Sequence, residues 1–399
     1  MKPFGPFSKS VILFISLSSL SFAGIWAQES GNDHSPSATT SNASPTPVAK
    51  TDAGIENKGP DEHGLKAAAA PDSNRAKSSQ TENRPNDKRP QEDFATLKVP
   101  ADLKFADPLP PMRSEFPEFT REFVQLTWRP GDLIDLYVLK PKGIKKPPVI
   151  LYLYSFPKSI EGGFKDNDFA KLLTKNGFAA VGFTSALTGP RFHDRPMKQW
   201  FVSELPEALA SSVHDTQLIL NYLDQRGDLD MSRVGMFADG SGASIAIMAA
   251  SVDPRIKALD LLNPWGDWPE WMAKSTLIQL EDERAEYVKP EFLKKVENLD
   301  PVNYLPHLAT PRVRLQYLDV DTGTPKAARE RMKAAAPPNA VLAEYADLRA
   351  LGMAFGFGPE VTANLFEWIQ LQVVAPASPE QSSQVSTPAH SETNKASSQ

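Results

Sequence analysis

A chain of 399 residues has room for one large domain or two ordinary ones. It carries no cysteine, which excludes a disulfide framework, a thiolate metal site, a cysteine nucleophile and a lipidated N-terminal cysteine. A formal net charge of −6, with the basic residues scattered along the chain, leaves no electrostatic footprint for nucleic acid.

Residues 1–27 place Lys2 and Lys9 before the apolar run "VILFISLSSLSFAGIWA", with small residues suited to cleavage after Ala23 or Ala27. This is the pattern of a secretory signal peptide, and the run is short for a membrane span. Export to a bacterial periplasm or the medium is expected, with no membrane span after cleavage. Residues 28–109 are mostly Ser, Thr, Asn, Asp, Pro and Ala. They offer too little apolar surface to offset chain entropy and predict a disordered linker. Residues 375–399 predict a disordered tail on the same grounds.

Between them, residues 110–374 predict one domain. "EFVQLTW" and "LIDLYVLKP" flank "RPGD" and predict a hairpin. "PPVILYLYS" is a continuous apolar run, as expected of a strand buried on both faces. The helix "DNDFAKLLTKNG" follows, capped by Asp166 or Asn167 and stopped at Gly177. Strand "FAAVGFTSA" leads to the loop "LTGPRFHDRPMKQWF" and then to a long amphipathic helix over about 205–225. Strand "RVGMF" enters the glycine-rich corner "ADGSGAS". Strand "IKALDLLNP" comes next, then a Trp-rich helical insertion over 265–310. Strand "RVRLQYLD", helix "PKAARERMKAAA", strand "AVLAEYAD" and helix "GPEVTANLFEWIQLQVV" complete the series. Alternating strands and helices predict an α/β fold, with a mainly parallel sheet covered on both faces.

This order of elements, and "LDMSRVGMFADGSGAS" above all, resembles the α/β-hydrolase superfamily, in particular its dienelactone hydrolase and prolyl-oligopeptidase-like group. The likeness spans nearly all of residues 115–374. It implies a serine nucleophile on the corner, an acid after a later strand and a histidine after the acid. A strand that turns directly into a helix strains the backbone at the nucleophile and needs small residues two positions to either side. Centred on Gly240, the flanks are Ala238 and Gly242, and both fit. Centred on Ser241, Asp239 is too bulky. Centred on Ser244, the strand would have to run through "ADGSG", which is poor strand sequence. Gly240 is therefore expected where the family carries its serine.

In "LQYLDVDTGTP" the resemblance matches Asp321 to the acid, with Asp319 the weaker choice. No histidine occurs between His307 and His390, so the histidine position is also expected to be empty. Where these enzymes commonly have His-Gly after the first parallel strand, this chain has Tyr154 and Ser155. A rearranged site would pair Ser241 or Ser244 with His193, and with Asp321 or Asp194. His193 lies in a charged loop with Arg191, Asp194 and Arg195, which reads either as a ligand contact or as an ion-paired brace. His214 reads as a helix-face histidine paired with its neighbours.

A small-molecule site is expected around Tyr154, Ser155, Asp239, Gly240, Ser241, Arg191, Trp265 and Trp268. The tryptophans Trp265, Trp268 and Trp271 form either an aromatic wall for a ligand or the anchor of a lid. No metal-ligand spacing and no P-loop lysine are present, so no metal or other cofactor is expected. Two functions remain: a non-catalytic or weakly active hydrolase-fold protein that binds a small ligand or a partner, and an esterase or peptidase with a rearranged site.

Overall fold

The computed structural model describes residues 92–100, 108–129, 131–156, 161–187, 191, 201–347, 350–351 and 366–374. Strand β1 (Met112–Glu115) is followed by the long hairpin β2 (Phe119–Arg129) and β3 (Asp132–Pro141). Strands β4 (Pro148–Leu153) and β5 (Ala179–Phe183) are buried at every position. β6 (Asp230–Asp239), β7 (Ile256–Leu262), β8 (Arg312–Leu318) and β9 (Val341–Tyr345) complete one nine-stranded sheet, in the order β1-β2-β3-β5-β4-β6-β7-β8-β9. β1, β2, β3 and β5 pair antiparallel in succession, and the pairs from β5 through β4 to β9 are parallel. The expected mainly parallel α/β sheet is what forms.

Because side chains alternate along a strand, β4 sends Leu151 and Leu153 to one face and Ile150 and Tyr152 to the other. The first face is covered by α3 (Leu205–Arg226), α4 (Ser241–Val252) and α8 (Lys326–Ala335), through residues such as Val213, Ile245 and Met332. The second is covered by α1 (Glu161–Lys165), α2 (Asn167–Thr174) and α9 (Glu367–Val374), through Phe164, Leu173, Ile369 and Val373. The start of α2 settles the alternative left by the sequence. Asp166 is the cap, its carboxylate accepting the Phe169 N–H at 2.7 Å.

The insertion carries α5 (Trp268–Lys274), α6 (Glu281–Tyr287), α7 (Pro290–Val296) and three short 3₁₀ turns. Asp300 pins it. Its carboxylate accepts the N–H groups of Asp267 at 2.9 Å, Trp268 at 3.0 Å and Val302 at 3.1 Å. Asp267, at φ 55°, is thereby held in a left-handed turn.

Residues 92–99 lie within the stretch read as linker, yet they pack against α3, with Leu97 and Val99 buried. The segment holds too few apolar residues for composition to distinguish it from the residues before it.

Candidate functional site

In a parallel sheet, ligand sites collect at the carboxyl ends of the strands. Here the register brings the ends of β4, β6 and β7 level, with Leu153 opposite Ala238 and Asp239 opposite Leu262. The loops leaving β4 and β6 therefore meet, and Ser155 comes against the corner at Gly240.

Gly240 has φ 52° and ψ −117°, a conformation that side chains rarely adopt, and it leads straight into α4. Ala238 is buried on one side of the bend. On the other, a Cβ on Gly242 would stand 2.8 Å from the Leu153 carbonyl oxygen, so only glycine fits. The corner is centred on Gly240, with its two small flanks in place.

The space above Gly240 is already taken. A Cβ at this position would stand 2.2 Å from Ser155 Oγ, 2.7 Å from Ser155 Cβ and 3.1 Å from Trp265 Nε1. The Ser155 hydroxyl thus fills the volume that a nucleophile's side chain would need.

Two backbone donors at the corner are taken as well. The Ser241 N–H donates to Ser155 Oγ at 3.3 Å, and the Phe156 N–H donates to Ser241 Oγ at 3.0 Å. In a hydrolase corner, the N–H after the nucleophile and one from the loop beyond the first parallel strand receive the oxyanion. In this chain those two N–H groups meet two serine hydroxyls, each reaching across to the other's loop. Sequence reasoning named Ser155 and Ser241 but not Phe156, whose amide contribution depends on loop geometry rather than on residue type. The Phe156 ring stacks on Phe201, with centroids 4.2 Å apart.

Ser244 lies on the first turn of α4, its hydroxyl directed to the Trp265 carbonyl at 2.7 Å and the Gly240 carbonyl at 3.4 Å. Trp265, Trp268 and Trp271 are at most 3% exposed. Trp265 and Trp268 pack against Trp271 with ring centroids 4.8 and 5.7 Å away, and the Trp268 indole N–H is held by the Leu299 carbonyl at 2.8 Å. The three rings anchor the insertion.

Asp321 follows β8, and its carboxylate accepts the Gly323 N–H at 3.0 Å. Burial raises its carboxyl above the ordinary aspartate range, and the nearby Asp239 carboxylate raises it further. Burial, followed by Asp239, also raises the Tyr154 phenol, which therefore stays protonated. Asp319 is exposed and lies 3.8 Å from Arg329. Among the described residues the histidines are His214 and His307. His307 is exposed on the insertion, and both ring nitrogens of His214 are bound to the segment before β1. His193, Asp194 and Arg195 lie outside the described residues.

Arg191 is 6% exposed and its donors are taken up by protein. Nε and Nη2 grip Asp132 at 2.9 and 2.6 Å, and Nη1 reaches Asp215 at 2.7 Å and the Thr184 carbonyl at 3.0 Å. This geometry is a brace between β3, β5 and α3. Among the described residues, no group of three or more His, Cys, Asp or Glu is arranged to hold a metal ion, and no helix is long and apolar enough to cross a membrane.

No family model matches the chain, and no curated protein matches its sequence. Solved structures do match. An acetyl xylan esterase of Thermoanaerobacterium sp. JW/SL YS485 superimposes with a TM-score of 0.52 at 15% identity, covering 67% of this chain and 88% of that one. The acetyl xylan esterase of Paenibacillus sp. R4 gives 0.50 at 16% identity, covering 64% and 84%. The chain has the α/β-hydrolase fold. In this hydrolase-fold domain Gly240 occupies the strand-to-helix corner, Ser155 and Phe156 belong to the loop after the first parallel strand, and Asp321 follows β8.

Proposed function

We propose that this is an exported hydrolase-fold protein that binds a small anionic or sugar-like ligand, or a partner, without turning it over. The observation that carries this reading is the Ser155 hydroxyl standing 2.2 Å from where a Cβ on Gly240 would be. A serine without a base is a poor nucleophile at neutral pH, and an oxyanion site alone gives only residual catalysis. Here the first N–H of that site is itself bound by a side chain, as is its counterpart at Phe156. Fold alone does not assign chemistry, so the reading rests on these contacts and not on the esterase activity of the structural neighbours.

The test is an assay of the purified chain on a panel of activated esters, alongside thermal melts with small carboxylates and sugars. No saturable turnover is expected, together with a ligand-dependent rise in Tm for at least one ligand class. Turnover abolished by Ser241→Ala or Ser244→Ala would contradict the proposal and establish a rearranged serine hydrolase instead.

A further inference from the structure

Residues 92–99 form a strap held to α3 and to the end of β2. Gln217 grips it twice: Nε2 donates to the Leu97 carbonyl at 2.6 Å, and Oε1 accepts the Val99 N–H at 3.1 Å. Glu92 takes a two-pronged contact from Arg129, at 2.7 Å from Nε and 2.8 Å from Nη2. Phe94 stacks over His214, with ring centroids 6.2 Å apart.

His214 makes the remaining two contacts. Its Nδ1 lies 2.7 Å from Glu92 Oε1 and its Nε2 lies 2.7 Å from the Thr96 carbonyl oxygen. Burial pushes the Glu92 carboxyl up, but hydrogen bonds from Arg129 and His214 more than offset this and hold it below its ordinary value. It is therefore a carboxylate, which only accepts, as does the carbonyl. A neutral imidazole has a single N–H and would leave one lone pair facing an oxygen. A proton on each ring nitrogen would satisfy both acceptors, whereas either neutral tautomer leaves one of the two contacts unmade.

Charge balance points the same way. The cluster around the ring joins the carboxylates of Glu92 on the strap, Asp132 on β3 and Asp215 on α3 to the guanidiniums of Arg129 on β2 and Arg191. Asp93, the strap's other carboxylate, is exposed and accepts the Ala95 N–H. Three negative groups therefore meet two positive ones, and an imidazolium at His214 brings the cluster to neutrality. His214 and Asp215 are fully buried, where an unbalanced charge is costly.

We infer that the strap is a proton-held latch, docked while His214 carries both ring protons and loosened when one is lost. The effect reaches past the strap, because Arg129 also holds Asp215 at 2.8 Å and Asp215 holds Arg191 at 2.7 Å. Releasing Glu92 removes one partner from a continuous chain of ion pairs.

Because the chain has no cysteine, Ala95→Cys supplies a unique thiol for a spin label on the exposed side of the strap. In the full chain, an immobilised spectrum is expected at about pH 5.5 and a mobile component at about pH 9, its population about tenfold larger and reversible. In the His214→Gln background the mobile fraction should be the same at both pH values. Mobility unchanged by pH in the chain that retains His214 overturns the proposal. Nitrogen NMR of the His214 ring in the unmodified protein stands independently of any variant's folding. Two protonated ring nitrogens at about pH 5.5 support the latch, and a neutral tautomer there overturns it.

Discussion

On the proposed reading, the corner after β6 and the acid loop after β8 depart from a hydrolase site in opposite ways. At the corner the backbone is intact: Gly240 holds φ 52°, Ala238 and Gly242 flank it, and α4 begins at once, but there is no side chain to react. At the acid loop the side chain is present, since Asp321 keeps a half-buried carboxylate in a turn closed by the Gly323 N–H. Its expected histidine partner is absent from the stretch of sequence that should supply it. Neighbouring groups have closed over the corner, through Ser155 and Trp265. At Asp321 burial raises the carboxyl and outweighs the Gly323 N–H and the Arg329 charge, which lower it, and the nearby Asp239 adds to the rise.

The sharpest way to break this contrast is Gly240→Ser. The new side chain meets Ser155 at 2.2 Å on a backbone that disfavours any Cβ, so stability should fall by about 3 kcal/mol in urea titration. A loss under about 1 kcal/mol would mean that the space above the corner is open. Adding Ser155→Gly should return about 2 kcal/mol of that loss, because it clears the overlap with Ser155 and leaves the backbone strain and the tight Trp265 contact. Purely additive effects of the two changes would show that Ser155 is not the obstruction.

Ser241→Ala is a smaller perturbation. It removes the acceptor of the Phe156 N–H and should cost about 1 kcal/mol by the same titration. The smallest effect belongs to the acid loop, and its sign is opposite. With its carboxyl raised, the folded state holds the Asp321 proton to higher pH than the unfolded chain does. Stability is thus lost as pH climbs from the ordinary aspartate value through the raised one. Asp321→Asn should stabilise the protein at neutral pH by up to about 1 kcal/mol, with the gain vanishing in acid. A destabilised Asn variant at pH 7 would show that the Gly323 bond and the Arg329 charge outweigh the burial of the carboxylate.

Much of this architecture is written in patterns that depend on local chemistry. Continuous apolar runs such as "PPVILYLYS" mark strands covered on both faces, and the small residues around "ADGSGAS" mark a bend that only such residues can make. A cap at Asp166 or Asn167 follows from residue type and position, and the resemblance supplies Asp321 as a strand-end acid, with Asp319 the weaker choice. What stayed out of reach depends on which loops meet across the sheet. Ser155 and Gly240 are 85 positions apart, and no feature of either residue announces that the hydroxyl of one fills the space above the other. The buried ion-pair brace at Arg191 was readable only as one of two alternatives, because Asp132 and Asp215 reach it from distant elements. The strap at 92–99 resembles its polar surroundings in composition, and its hold on the domain comes from Gln217, His214 and Arg129 rather than from its own apolar content.

Intact-mass analysis after prolonged exposure to a fluorophosphonate tests the central claim most directly, because the reagent reports an activated serine whatever the natural substrate. With the space at Gly240 filled and the Ser241 and Phe156 amides occupied, the chain should emerge at its unmodified mass. A stoichiometric adduct mapped to Ser155, Ser241 or Ser244 would contradict the account and show that a working nucleophile survives at this corner.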